Sequence, residues 1–145
     1  MKSENFVLVV DDSEHDYEAL RRACDKSSFD IGLKHCSGGL QALDYLYNED
    51  QSLSPQEHIL PSLILLDLSM PGMGGFAFLE TIKDDKDFKH IPIIVLSVSE
   101  NPDDVKQSYE HGASGYFIKP LDINDTVIMV NSIMGYWFSF CRLPS

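Results

Sequence analysis

The chain predicts an α/β domain in which a five-stranded parallel sheet, doubly wound, is covered by helices on both faces. Three observations carry that prediction. Short runs of Val, Ile, Leu and Phe, too apolar to leave one face in water, recur at Phe6–Val10, Leu63–Leu66, 91–96 and Gly115–Ile118. Segments of helical periodicity alternate with them, and parallel strands need such crossovers. The length, 145 residues, with 43% hydrophobic and 10% aromatic residues, fits one domain with its own core and excludes a disordered chain.

The elements follow in order. Phe6–Val10 is the first strand. Ser13 caps a helix running to about Ser27, with Asp16 as its acidic partner at the third position and Tyr17, Leu20 and Cys24 on its apolar face. A weaker strand spans 31–36, and Gly39–Tyr47 is a helix with Leu40, Leu43 and Leu46 at three-residue spacing. The polar stretch 48–61, broken by Pro55, is a surface loop of a length that is often functional or mobile. Leu63–Leu66 is the third strand, and Gly74-Gly75 opens a helix over 76–82. The fourth strand, 91–96, carries Pro92 near its start. Asn101-Pro102 caps and starts a helix that Gly112 stops after His111. After Gly115–Ile118, Asp122 or Asn124 starts the last helix, carried by Val127, Met134 and Trp137. The whole chain, 1–145, reads as one domain with 138–145 as a C-terminal tail.

Charge and cysteines narrow the function. The net charge of −12 argues against a phosphate-backbone binder and against docking to anionic lipid, so neither nucleic acid nor a membrane is expected as a partner. Cys24, Cys36 and Cys141 form no CxxC pair, which reads as reduced core or tail thiols in a cytoplasmic protein. The N-terminal apolar run is too short for a signal segment or a membrane span. The five histidines, His15, His35, His58, His90 and His111, are scattered without ligand spacing and read as solvated, and Met70 and Met73 read as packing residues.

In an open α/β sheet, ligands bind beyond the carboxyl ends of the strands. Those ends carry Asp11-Asp12, Asp67, Ser97 and Lys119-Pro120. Any one of them alone is ordinary, since strand-end aspartates often cap the next helix; falling together on one rim, they form a candidate site. Carboxylates gathered this way repel by about 4 kcal/mol per pair at about 4 Å and an effective dielectric of about 20. A hard divalent cation relieves that repulsion. Asp67, after a hydrophobic strand, is the natural nucleophile for an acyl phosphate, with Lys119 and Ser97 placed to meet phosphoryl oxygens.

These residues resemble the receiver domain of two-component response regulators. The likeness rests on Val-Val-Asp-Asp-Ser at 9–13, Leu-Leu-Asp-Leu-Ser-Met-Pro-Gly-Met-Gly-Gly at 65–75, Val-Leu-Ser at 95–97 and Gly-Ala-Ser-Gly-Tyr-Phe-Ile-Lys-Pro at 112–120. It implies a flavodoxin-like receiver fold with strand order 2-1-3-4-5. It implies Asp67 as the acceptor of a phosphoryl group from a sensor histidine kinase, and Mg²⁺ held by Asp11, Asp12, Asp67 and the main-chain carbonyl of Ser69. It further implies Lys119 as the phosphoryl contact, Ser97 as the switch hydroxyl, Tyr116 as the aromatic switch, and a cis bond before Pro120. Gly74-Gly75 falls where small residues keep the loop after the acceptor tight. Such a protein is a signalling phosphoacceptor rather than an enzyme acting on other substrates, and with one helix and a tail after Lys119 its output is expected through binding an unknown downstream protein.

Two positions depart from the family. Val98 stands where alanine or glycine is usual, at the site entrance, where a branched side chain would slow donor or water. Ser69 and Ser99 occupy the variable positions that tune phosphoryl lifetime. A narrower resemblance, from the 48–61 loop, Asp-Ser-Glu-His-Asp at 12–16 and the aromatic ending, is to the small regulators that partner cyanobacterial phytochromes. It implies a phytochrome-type kinase. It also implies a homodimer through the fourth helix, fifth strand, fifth helix and the tail aromatics Tyr136, Trp137, Phe138 and Phe140.

A dehalogenase-type phosphatase would carry a second aspartate two residues after its nucleophile, where this chain has Ser69, and a flavin module would have its phosphate repelled by Asp11-Asp12. A receiver-fold module that binds partners without phosphorylation is the remaining alternative.

Overall fold

The computed structural model describes residues 5–144, so the first four residues and the last residue of the tail lie outside it. The elements run β1 (Phe6–Val10), α1 (Glu14–Lys26), β2 (Gly32–Cys36), α2 (Gly39–Tyr47), β3 (Leu63–Leu66), α3 (Gly75–Asp84), β4 (Ile93–Ser97), α4 (Pro102–Glu110), β5 (Gly115–Ile118) and α5 (Ile123–Met134). All strands pair in parallel in the order β2-β1-β3-β4-β5, the expected doubly wound sheet.

Alternate side chains of each central strand enter opposite layers, as the two-residue period of a strand requires. Leu8, Val10, Ile64, Leu66, Ile93 and Val95 pack against α2 and α3 through Leu46, Phe78 and Ile82. Val7, Val9, Leu63, Leu65, Ile94 and Leu96 pack against α1 and α5 through Leu20, Val130 and Ile133. With helices on both sides neither set can be polar, which is why these strands are unbroken apolar runs. The edge strand β2 carries exposed Gly32 and Lys34 on one face and half-buried Leu33 and His35 on the other, and only Cys36 at its end is buried, hence its weaker signal.

The helix starts follow their capping residues. Ser13 Oγ accepts from the Asp16 N–H at 3.1 Å, Asn101 Oδ1 from Asp103 N–H at 2.9 Å, and Asp122 Oδ1 from Asp125 N–H at 2.8 Å. Gly112 ends α4 with φ of 99°.

Three expectations need correction. On α2 the buried face is Gly39, Ala42 and Leu46, whereas Leu40 is 61% exposed. Three-residue spacing drifts around a helix that turns about 100° per residue, so Leu40 and Leu46 cannot share one face. The chain also remains helical beyond α5, through a turn of π-helix at Gly135–Phe140, so the tail begins at Cys141 and not at 138. There Trp137 and Phe138 pack on the α1–α5 layer, while Tyr136 and Phe140 face outward. The third concerns the histidines. His35 and His58 are not solvated: their Nε2 atoms bond the Asp11 and Tyr45 carbonyls at 2.7 and 2.8 Å.

The 48–61 loop closes on itself. Asn48, in the left-handed region with φ of 47°, donates through its amide to Leu53 O at 2.9 Å and accepts from Leu53 N–H at 3.2 Å. Tyr45 Oη donates to Ile59 O at 2.6 Å, tying the loop to α2.

Candidate functional site

The sheet delivers its polar strand ends to one rim. Asp11 follows β1, Asp67 follows β3, and Ser97 closes β4; all three are buried. The loops behind the two aspartates are fixed by backbone. Asp67 N–H donates to Val10 O at 2.9 Å and Asp11 N–H to Cys36 O at 3.1 Å. The His35 ring, stacked on Tyr17 with centroids 4.3 Å apart, holds the Asp11 carbonyl. After Asp67 the chain doubles back so tightly that a Cβ on Gly75 would lie 2.7 Å from Asp67 O and 2.6 Å from Leu68 Cα. Only glycine fits that start of α3; Gly74 has open space around it and carries no such demand.

One carboxylate oxygen from each of Asp11, Asp12 and Asp67 lies within 4.8 Å of the others, a hard-oxygen set that can hold a divalent metal ion. Lys119 Nζ lies 3.0 Å from Asp11 Oδ2 and 3.6 Å from Asp67 Oδ2. Burial pushes the Asp67 carboxyl up to about 6; the Lys119 charge pulls against this, and Asp11 and Asp12 reinforce it. For Lys119 burial acts downward, but the bonds from Asp16 and Asp11 and the charges of Asp11 and Asp67 outweigh it and hold the ammonium up at about 12.

The remaining positions divide. Ser69 N–H donates to Asp67 Oδ1 at 3.3 Å. Ser97 Oγ accepts from Ser99 N–H at 3.1 Å rather than meeting Asp67. Tyr116 Oη donates to Ser99 O at 2.8 Å, so the Ser97 hydroxyl and the Tyr116 ring both touch the backbone of Ser99. Val98 is 70% exposed and borders, with His15 and Lys119, an open groove along the rim. The bond before Pro120 is trans, contrary to expectation, as no cis peptide occurs among the described residues. Trans is the lower-energy form for an Xaa–Pro bond by about 0.5–1 kcal/mol, and with it Lys119 still reaches Asp11.

Asp16 was read in the sequence as a capping partner and belongs here instead. Its Oδ2 takes the shortest bond from Lys119, 2.7 Å. The capping task is already filled, because the Ser13 N–H donates to Asp11 Oδ1 at 2.9 Å. The sequence did carry one signal, an acidic side chain in the first turn of a helix that starts at the rim.

The family model described as the response regulator receiver domain matches residues 7–131. The chain belongs to the response regulator receiver family. Response regulator Rcp1 of Synechocystis sp. is 35% identical over 140 residues, covering 96% of this chain and 92% of that protein. The crystal structure of the phosphorylated cyanobacterial phytochrome response regulator RcpA superposes with a TM-score of 0.87 at 31% identity, covering 99% of this chain and 100% of that one. That of response regulator RPA3017, in red light signalling of R. palustris, gives 0.90 at 30% identity, covering 97% and 99%. The receiver is therefore a response regulator of two-component signalling. No helix among its described residues is long and apolar enough to cross a membrane.

Proposed function

We propose that this receiver accepts a phosphoryl group on Asp67 from the phosphohistidine of a sensor histidine kinase. The observation that carries the reading is the buried Asp67 carboxylate, set in a three-carboxylate cluster with an ammonium 3.6 Å away. Attack by a carboxylate oxygen on phosphorus forms a P–O bond as the P–N bond breaks, and the electron pair leaves with the imidazole. Little covalent chemistry is asked of the protein; positioning and charge neutralisation do most of it. Lys119 meets the transferred oxygens as a cation, and the Ser97 hydroxyl leaves Ser99 N–H to donate to one of them. Ser99 then releases Tyr116, which turns inward and changes the surface around α4 and β5. Asp11, Asp12, Asp67 and the Ser69 carbonyl would hold Mg²⁺, which supplies charge neutralisation and orientation of the phosphoryl oxygens. Val98 at the rim restricts access to the acceptor.

The kinase is of phytochrome type, a reading supported by the relatives above, and the protein works in the cytoplasm as a phosphoacceptor rather than a catalyst for other substrates. The exposed Tyr109, Ile118, Ile128, Tyr136 and Phe140, from α4, β5, α5 and the π turn, support a homodimer face and an output by binding another protein.

The test is intact-protein mass after incubation with phosphoramidate, with and without Mg²⁺, beside Asp67→Asn. A Mg²⁺-dependent gain of one phosphoryl group, absent in the variant, is the expected result. No gain from small donors or from a histidine kinase would favour a binding module that works without phosphorylation.

A further inference from the structure

We propose that Asp16 is a counter-anchor for Lys119: it holds the ammonium off the phosphoacceptor in the resting protein and slows phosphoryl uptake. The inference rests on Asp67 being the acceptor.

Lys119 has three N–H donors, and its two direct bonds run to Asp16 at 2.7 Å and Asp11 at 3.0 Å, leaving Asp67 at 3.6 Å, beyond hydrogen-bond distance. The residue that most needs the ammonium during transfer is thus the one it does not bond. Of its three carboxylate neighbours, only Asp16 lies outside the metal-ligating cluster. It is also the least committed. Its side chain is 37% exposed, against 3% for Asp11 and 8% for Asp67, so water can take over its oxygens when the ammonium leaves. Among the described residues no other group bonds that carboxylate, since the Ser13 N–H it would cap is bonded to Asp11. A phosphoryl group on Asp67 adds negative charge beside Lys119 and reverses the balance, drawing the ammonium inward from Asp16. Removing Asp16 leaves Lys119 with only Asp11 and Asp67 to satisfy, closer to the position transfer requires.

The experiment compares phosphorylation rates by phosphoramidate at saturating Mg²⁺, read by intact mass, for wild type, Asp16→Asn, Asp16→Glu and Glu14→Gln. Asp16→Asn is expected to be faster by roughly threefold to tenfold, the scale of one lost partly exposed ion pair. Asp16→Glu, which keeps the anchor, should stay within about twofold of wild type. Glu14→Gln removes the same charge from the same exposed first turn without touching Lys119, and is expected to match wild type. An unchanged or slower Asp16→Asn would overturn the proposal, as would equal acceleration by Glu14→Gln, which would reduce the effect to general charge. If wild type itself gains no phosphoryl group, the reading of Asp67 fails and takes this inference with it; uptake by wild type with no acceleration sinks the counter-anchor alone.

Discussion

The last apolar residues of the central strands and the residues that follow them are almost equally buried and opposite in purpose. Val10 and Leu66 are fully enclosed, and one step further Asp11 and Asp67 are only 2% and 7% exposed. Burial of the first kind stabilises the fold, by about 1.5–3 kcal/mol for each large aliphatic side chain. Burial of the second kind opposes it, because a carboxylate loses its water and faces like charges. The sheet therefore holds these carboxylates in an unfavourable place by means of the strands directly beneath them.

The contrast can be broken from the apolar side first. Ile64→Ala empties a fully buried site in β3 and is expected to destabilise the protein by about 2–5 kcal/mol, measured by urea unfolding, at any pH near neutrality. Lys119→Met attacks the rim instead. It strips Asp11 and Asp67 of their cation and should cost about 2–4 kcal/mol at pH 7. Much of that loss should vanish near pH 4, well below the value of about 6 at which Asp67 titrates, where its carboxyl is protonated; a loss independent of pH would mean that the lysine acts through packing.

Asp67→Asn is expected to do the opposite and stabilise the protein. The folded carboxyl titrates at about 6 against an ordinary value of 3.8, so the native state holds its proton more tightly than the unfolded chain. Stability of the wild type should then fall as pH rises from about 4 to about 6 and stay lower above that, while the variant is spared. In metal-free buffer the variant should gain about 1–3 kcal/mol at pH 7.5 and little at pH 4. Ser13→Ala gives the smallest effect, about 1 kcal/mol from the lost α1 cap, and a thermal melt suffices to see it.

The same contrast explains what could be read from the chain. The central strands were legible because two covered faces leave no room for polar residues, and Asp11, Asp67 and Lys119 because they interrupt such runs at one end. The face of α2 was not, since leucines at three-residue spacing imitate a stripe while the small Gly39 and Ala42 do the packing. Asp16 was hidden behind a plausible capping role that Asp11, two residues before Ser13, performs instead. The trans bond before Pro120 and the π turn at Gly135–Phe140 depend on the context of the folded chain, which no local pattern reports.

The closed 48–61 loop has a practical consequence. Asn48 and Leu53 bond each other, and Tyr45 holds Ile59, so the tip at 54–57 is bracketed by clasps belonging to the loop and to α2. It leads into the start of β3, whereas the acidic rim gathers at the opposite end of the sheet. Chain length added at the tip carries only a slowly growing entropic cost. A dye, an affinity tag or a surface tether grafted there would report on the receiver while leaving the acidic rim open to its donors.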